Sequence, residues 1–93
     1  MSITVGNTTF DRVDYDADVD VLYLHVGSPE QAVDFDESPE GHALRFDRDG
    51  RLVGITIVDA KQLLESFDPI VITIPERITI DPAVLAPAVQ SAA

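Results

Sequence analysis

The chain has 93 residues, room for one domain over 1–93 with a modest core, and its 17 Asp and Glu outnumber its 6 Lys and Arg to give a net charge of −11. That balance argues against nucleic acid and anionic membranes as partners, since phosphate backbones and headgroups need Lys and Arg to neutralise them. With no Cys, neither a disulfide framework nor a thiolate metal site can form, and a reducing, cytoplasmic setting fits.

The opening MSITVGNTTF has no basic region followed by an apolar run, so no signal peptide is expected, and no apolar run approaches the roughly 20 residues that span a bilayer. Ile3 to Val5 reads as a short strand or a loose end and 8–13 alternates weakly, after which comes the acidic run Asp14, Asp16, Asp18 and Asp20. Residues 19–26 are rich in β-branched and aromatic side chains and predict a strand. Its faces are Leu22, Leu24, Val26 and Val21, Tyr23, His25. Both are largely apolar, which predicts a central strand covered on both sides.

Gly27-Ser28-Pro29 marks a turn. Over 31–36 the alternation predicts a half-buried strand with Val33 and Phe35 inward. Ser38-Pro39-Glu40-Gly41 is a loop, and 43–46 places Leu44 and Phe46 on one face with Arg45 outside. Asp47-Arg48-Asp49-Gly50 predicts a hairpin turn, with Asp accepting backbone N–H bonds and Gly50 free to take φ > 0. Residues 51–58 form the clearest strand: Val53, Ile55 and Ile57 on one face, Leu52, Thr56 and Val58 on the other. Gly54 inside it predicts a bulge or the close approach of another side chain.

Asp59 with Gln62 reads as the capping box of a short helix over 61–67 that presents Leu63, Leu64 and Phe67. Asp68-Pro69 stops that helix. A strongly apolar strand follows over 70–74, then Pro75-Glu76 and an edge strand over 77–80. Asp81-Pro82 predicts the start of a second short helix over 83–90, with Pro87 inside it, and a frayed tail. The expected fold is α+β, mostly β: an antiparallel meander of about five or six strands, one short helix after the 51–58 strand, and a short C-terminal helix. One short helix cannot cover both apolar faces of the central strands, so a homodimer that buries one sheet face is expected.

Several constellations invite a chemical reading. Asp16, Asp18 and Asp20 fit the first, third and fifth positions of a calcium loop, but Val21 stands where that loop needs Gly and Gly27 where it needs Glu. A turn before a strand explains them as well, and they remain weak metal candidates. Asp47, Asp49 and Gly50 are a truncated version of the same string, better explained by the hairpin. His25 and His42 would have to meet beside Asp34 or Asp36 to hold a metal; a partly buried strand residue is the plainer reading of His25. No Ser lies in a nucleophile elbow and no Gly-rich phosphate loop precedes a helix. No catalytic residue and no cofactor is expected.

Two strings do stand together: Tyr15-Asp16-x-x-x-Asp20-x-Leu22-Tyr23-Leu24, and Asp47-x-Asp49-Gly50-Arg51-Leu52-Val53-Gly54-Ile55-x-Ile57-x-Asp59-Ala60. In order and spacing they resemble a family of small prokaryotic proteins, domain of unknown function 2283, over residues 15–60. Residues 70–93 fall outside the pattern as a C-terminal extension. The resemblance implies a small β-rich domain with no established activity, and, because some members sit beside toxin-like proteins, an antitoxin-like role. Its signature positions Tyr15, Asp16, Asp20, Tyr23, Asp47, Asp49, Gly50, Gly54 and Asp59 read as turn, strand and cap devices. The leading expectation is a non-enzymatic protein-interaction module that binds a basic partner. A divalent-cation or small-ligand domain using Asp16, Asp18 and Asp20, and a small hydrolase using His25 or His42, are the alternatives.

Overall fold

A computed structural model describes residues 1–27, 32–66, 69–74 and 76–91. The fold is mostly β, with the elements in the order β1 (Ile3–Val5), β2 (Thr8–Phe10), β3 (Arg12–Asp16), β4 (Val21–His25), β5 (Asp34–Glu37), β6 (Ala43–Phe46), β7 (Leu52–Val58), α1 (Ala60–Glu65), β8 (Ile70–Ile74), β9 (Glu76–Ile80) and α2 (Pro82–Ser91). Five strands form one antiparallel sheet in the order β3-β4-β7-β6-β5, while β1-β2 and β8-β9 are separate two-stranded hairpins. The α+β, mostly β expectation therefore holds. The five-stranded sheet is more than a meander, because β7 inserts between β4 and β6 and so becomes its central strand.

Register follows the period-2 pattern of the sequence. Leu22 pairs with Ile57 and Leu24 with Ile55 across β4 and β7, while Tyr15 and Val13 of β3 stand opposite Leu22 and Leu24. Leu44 of β6 faces Ile55. These side chains share one face of the sheet. Both small hairpins and both helices pack against that face, adding Ile3, Val5, Phe10, Ala60, Ile70, Ile72, Ile80, Leu85, Ala88 and Val89 to the same core. The segments outside the family-like region thus bury their apolar side chains in a common core with it. Full burial of each such side chain stabilises the fold by roughly 1.5–3 kcal/mol relative to exposure.

The Asp47–Gly50 hairpin forms as its residues predict. Asp47 Oδ1 accepts the N–H groups of Asp49 and Arg51, both at 2.9 Å, the Asp47 carbonyl accepts from Gly50, and Gly50 takes φ 78°. At the C-terminus, Asp81 Oδ1 accepts the Ala83 N–H at 3.0 Å, with Pro82 opening α2 and Pro87 held inside it.

Two expectations change. Asp59 holds the position before α1, but its backbone is left-handed (φ 57°, ψ 42°) and its side chain makes no capping hydrogen bond. Asp20 does that work from the β3–β4 turn: its Oδ1 accepts the Lys61 N–H at 2.8 Å and its carbonyl accepts from Ala60. A left-handed Asp59 turns its carboxylate away from the helix start, and β4–β7 pairing brings Asp20 to it instead. Second, Val33 and Phe35 are exposed rather than inward. β5 is an edge strand whose register sets Phe35 opposite Arg45, on the face away from the core. Ser28, Pro29, Gln31, Phe67, Asp68 and Pro75, which carry the remaining turn, strand and helix-end expectations, lie outside the described residues.

Candidate functional site

The two faces of the five-stranded sheet differ in kind. The face away from the core carries Tyr23, 41% exposed, Val58, 39% exposed, and Phe35, 67% exposed. No element among the described residues covers these side chains, so within one chain the central strands are apolar on both faces but covered on one.

One cross-strand row organises this open face. Arg12 of β3 pairs with His25 of β4, His25 with Gly54 of β7, and Gly54 with Arg45 of β6. All four lie in register across neighbouring strands spaced about 4.8 Å apart. Gly54 is required there. A Cβ at this position would stand 2.9 Å from His25 Cδ2 and 3.2 Å from Arg45 Cβ, so the imidazole and the arginine stem occupy the space a side chain would fill. The sequence offers two reasons for a strand glycine and the structure uses both: the ladder shifts register between Arg45 and Phe46, beside the same residue.

Above this row lies a cavity of about 540 Å³ whose walls include Arg12, His25, Arg45, Asp14, Tyr23 and Thr56. His25 is 7% exposed. Its Nδ1 is 2.9 Å from the Val26 carbonyl, which requires an N–H at Nδ1 and leaves the lone pair of the neutral ring on Nε2. Nε2 is buried and has no partner among the described residues. The plain reading of His25, a partly buried strand residue, therefore misses that its ring is fixed on one side and unsatisfied on the other. Asp11, at the edge of the same cavity, accepts the Gly27 N–H at 2.8 Å; that hydrogen bond holds its carboxyl below the usual range.

The acidic run is occupied structurally. Asp16 Oδ1 accepts the Asp18 N–H at 3.0 Å inside the turn. Asp20 takes φ 55° and accepts the Tyr15 hydroxyl at 2.7 Å. That bond to a carboxylate pushes the Tyr15 pKa up to about 12. Burial works against ionisation of Asp20, yet the hydrogen bonds from Tyr15 and from the start of α1 outweigh it and lower the carboxyl's pKa. Among the described residues no three His, Asp or Glu side chains gather closely enough to hold a metal ion.

His42 sits elsewhere, with its ring Nδ1 bonded to the backbone. It is buried beside Leu63 of α1, its Nδ1 accepts the Val58 N–H at 3.2 Å, and its backbone N–H donates to Ser38 Oγ. Burial pulls its pKa below 6.5. The neighbouring Glu40 accepts both the backbone N–H and the hydroxyl of Thr73 at 2.9 Å, tying the loop before β6 to β8. Neither imidazole is hydrogen-bonded to a hydroxyl or a carboxylate among the described residues.

The family model described as a protein of unknown function, DUF2283, matches residues 12–61, more than half of the chain. The chain belongs to the DUF2283 family. The matched segment runs from the first residue of β3 to the first turn of α1. It is the five-stranded sheet with its helix cap and includes the whole Arg12–His25–Gly54–Arg45 row. No curated protein and no solved structure matches the chain. Among the described residues no helix is long and apolar enough to cross a membrane.

Arg12 and Arg45 are the site residues that sequence reading passes over. The available signal was Gly54 within a strand, which announces a close approach but does not name the approaching side chain. That name depends on register.

Proposed function

We propose that this DUF2283 domain is a non-enzymatic interaction module that receives a protein partner on the open face of its sheet. One observation carries the reading: Tyr23, Phe35 and Val58 are exposed together on a face of the five-stranded sheet that no element among the described residues covers. Exposed apolar side chains rimmed by charge are the ordinary signature of a contact surface. Asp14, Asp16 and Glu37 project from the same face, and the net charge of −11 steers association toward a basic partner over a Debye length of about 8 Å. The bonding of both histidines to backbone, rather than to a nucleophile or an acid, supports binding over catalysis. An antitoxin-like pairing with a basic toxin-like protein is one form this takes, and a homodimer over the same face is the second form.

Affinity capture from native lysate tests the reading when wild type is run beside the Tyr23→Ser, Phe35→Ser double variant at low and high salt. A basic protein retained by wild type at low salt, released at high salt and lost from the double variant is the expected result. Recovery of the chain alone, with sedimentation showing a monomer, overturns it.

A further inference from the structure

We propose that two copies of this chain join through the free edge of β3, antiparallel about a two-fold axis at Asp14, so that their five-stranded sheets run on as one. This contact is separate from the open face and from whatever that face binds.

β3 ends the sheet on one side, and no strand among the described residues pairs with its outer edge. One hydrogen bond fixes which of its residues point outward. The Val26 N–H donates to the Val53 carbonyl at 2.8 Å, in register with the pairing of β4 and β7. Antiparallel partners alternate between bonded and non-bonded pairs, so Leu22 and Leu24 also bond toward β7, while Val21, Tyr23 and His25 bond toward β3. Their β3 partners are Asp16, Asp14 and Arg12. The N–H and C=O groups of Val13 and Tyr15 are left pointing out of the sheet, a template for one more strand.

The opposite edge turns such a strand away. β5 reads Asp34-Phe35-Asp36-Glu37, and Asp36 Oδ1 already accepts the Glu37 N–H at 2.8 Å. Its acids and its blocked amide both disfavour pairing with a second acidic copy. β3 reads Arg12-Val13-Asp14-Tyr15-Asp16, and its charges suit self-pairing.

An axis at Asp14 is the one that keeps the whole of β3 paired. Val13 then exchanges backbone hydrogen bonds with Tyr15 of the second copy, which matches the outward groups of both. Arg12 stands opposite Asp16 of the second copy, once on each side of the axis. These are non-bonded pairs, where Cα atoms approach to about 4.5 Å and side chains come closest. Opposite charges so placed attract, and they outnumber the single like pair of Asp14 with its own copy at the axis. Both groups are available. The ion pairs among the described residues belong to Arg51, and Asp16 spends Oδ1 on the Asp18 N–H while Oδ2 stays open. An axis one residue earlier aligns only Arg12 to Asp14, and one residue later sets Asp14 against Asp16.

The neighbourhood of the edge is also favourable. α2 packs on β3 and has no charged residue from Pro82 to Ser91, and Ala83, Val84 and Pro87 on it are exposed. In a chain of net charge −11, the helix beside this edge adds no repulsion between copies.

Sedimentation equilibrium of the full chain from micromolar to millimolar concentration, with amide exchange followed by NMR, tests the proposal. A contact of this size gives a weak, reversible dimer, and the Val13 and Tyr15 amides should exchange severalfold more slowly as concentration rises. Arg12→Glu should weaken association by about tenfold or more. Asp16→Arg should do the same, and the two together should restore association to within severalfold, because the charges have changed strands. Asp14→Asn, which removes the like pair at the axis, should strengthen it severalfold. The Tyr23→Ser, Phe35→Ser variant should still dimerise, which separates this contact from a dimer over the open face. Circular dichroism checks that each variant is folded; if Asp16→Arg is not, Arg12→Glu and Asp14→Asn decide between them. A chain that stays monomeric at millimolar concentration overturns the proposal. So does a dimer that survives Arg12→Glu, that the folded charge exchange fails to restore, that Asp14→Asn weakens, or that Tyr23→Ser with Phe35→Ser abolishes.

Discussion

The two faces of the five-stranded sheet are built from alternate residues of the same strands, and they solve opposite problems. On the covered face Leu22, Leu24, Ile55 and Ile57 interlock with side chains brought by two hairpins and two helices. On the open face the same strands present His25, Gly54, Tyr23 and Thr56. The two histidines repeat the contrast: the His42 ring accepts the Val58 N–H, whereas the His25 ring bonds the Val26 carbonyl through Nδ1 and its buried Nε2 has no partner among the described residues. The lesson is that burial alone does not make a residue structural. What separates the faces is whether polar groups and apolar surface find partners among the described residues.

That contrast can be broken most directly by paired substitutions on β4. Leu22→Ala should cost about 3 kcal/mol in urea unfolding, through lost transfer energy and the cavity left behind. Tyr23→Ser, one residue along and on the open face, should cost less than about 1 kcal/mol. Equal losses would mean that the open face is covered in the native molecule.

Next in size is the anchor that keeps α1 on the covered face. Asp20→Ala should cost about 2 kcal/mol, because it removes a helix cap and the charged acceptor of the Tyr15 hydroxyl. The Tyr15 pKa should fall from about 12 toward 10 in an ultraviolet pH titration of the Asp20→Asn variant, while Tyr15→Phe deletes that titration. Because the folded pKa is raised, this contribution is present below about pH 10 and is lost as pH rises toward 12.

Gly54→Ala addresses the open face itself. It should cost about 1–3 kcal/mol by overpacking against His25 and Arg45, and much of that loss should vanish in a His25→Ala background. An additive double-mutant cycle would show that His25 does not press on Gly54. Asp59→Gly sharpens the contrast with Asp20: a left-handed backbone and an idle side chain predict a gain of up to about 1 kcal/mol. A genuine cap would give a loss of similar size.

The smallest effect is a pH slope from His42. His42 has a lowered pKa from burial, so the unfolded chain takes up its proton first. Stability is then fully present above about pH 6.5 and declines as pH falls below it. Denaturant midpoints measured down to about pH 5 should show that slope in wild type and lose it in His42→Gln.

Much of this architecture was legible residue by residue. Alternation predicted the buried faces of β6 and β7, Asp47 and Gly50 predicted their hairpin, and Asp81-Pro82 predicted the start of α2, whereas β4, apolar on both faces, was expected to be covered on both and is covered on one. The features that succeed do so because their causes are local: side-chain period, turn chemistry and a capping acceptor two residues from the amide it serves. Phe35 failed for the same reason. Its alternation is real, but which face of an edge strand turns inward depends on the neighbour it pairs with.

The site was less legible than the fold. Gly54 was visible as an anomaly, while Arg12 and Arg45 read as ordinary surface cations. They become a pair only when β7 inserts between β4 and β6 and sets His25 and Gly54 between them. The capping of α1 is the same kind of fact, since Asp20 lies 41 residues before the amide it serves. The sequence by itself determined where strands, turns and helices form, because backbone sterics and side-chain period act over a few residues. Tertiary structure alone decided which carboxylate caps the helix, which face stays open and which two arginines share a cavity, because strand order and register bring together groups that no local rule connects.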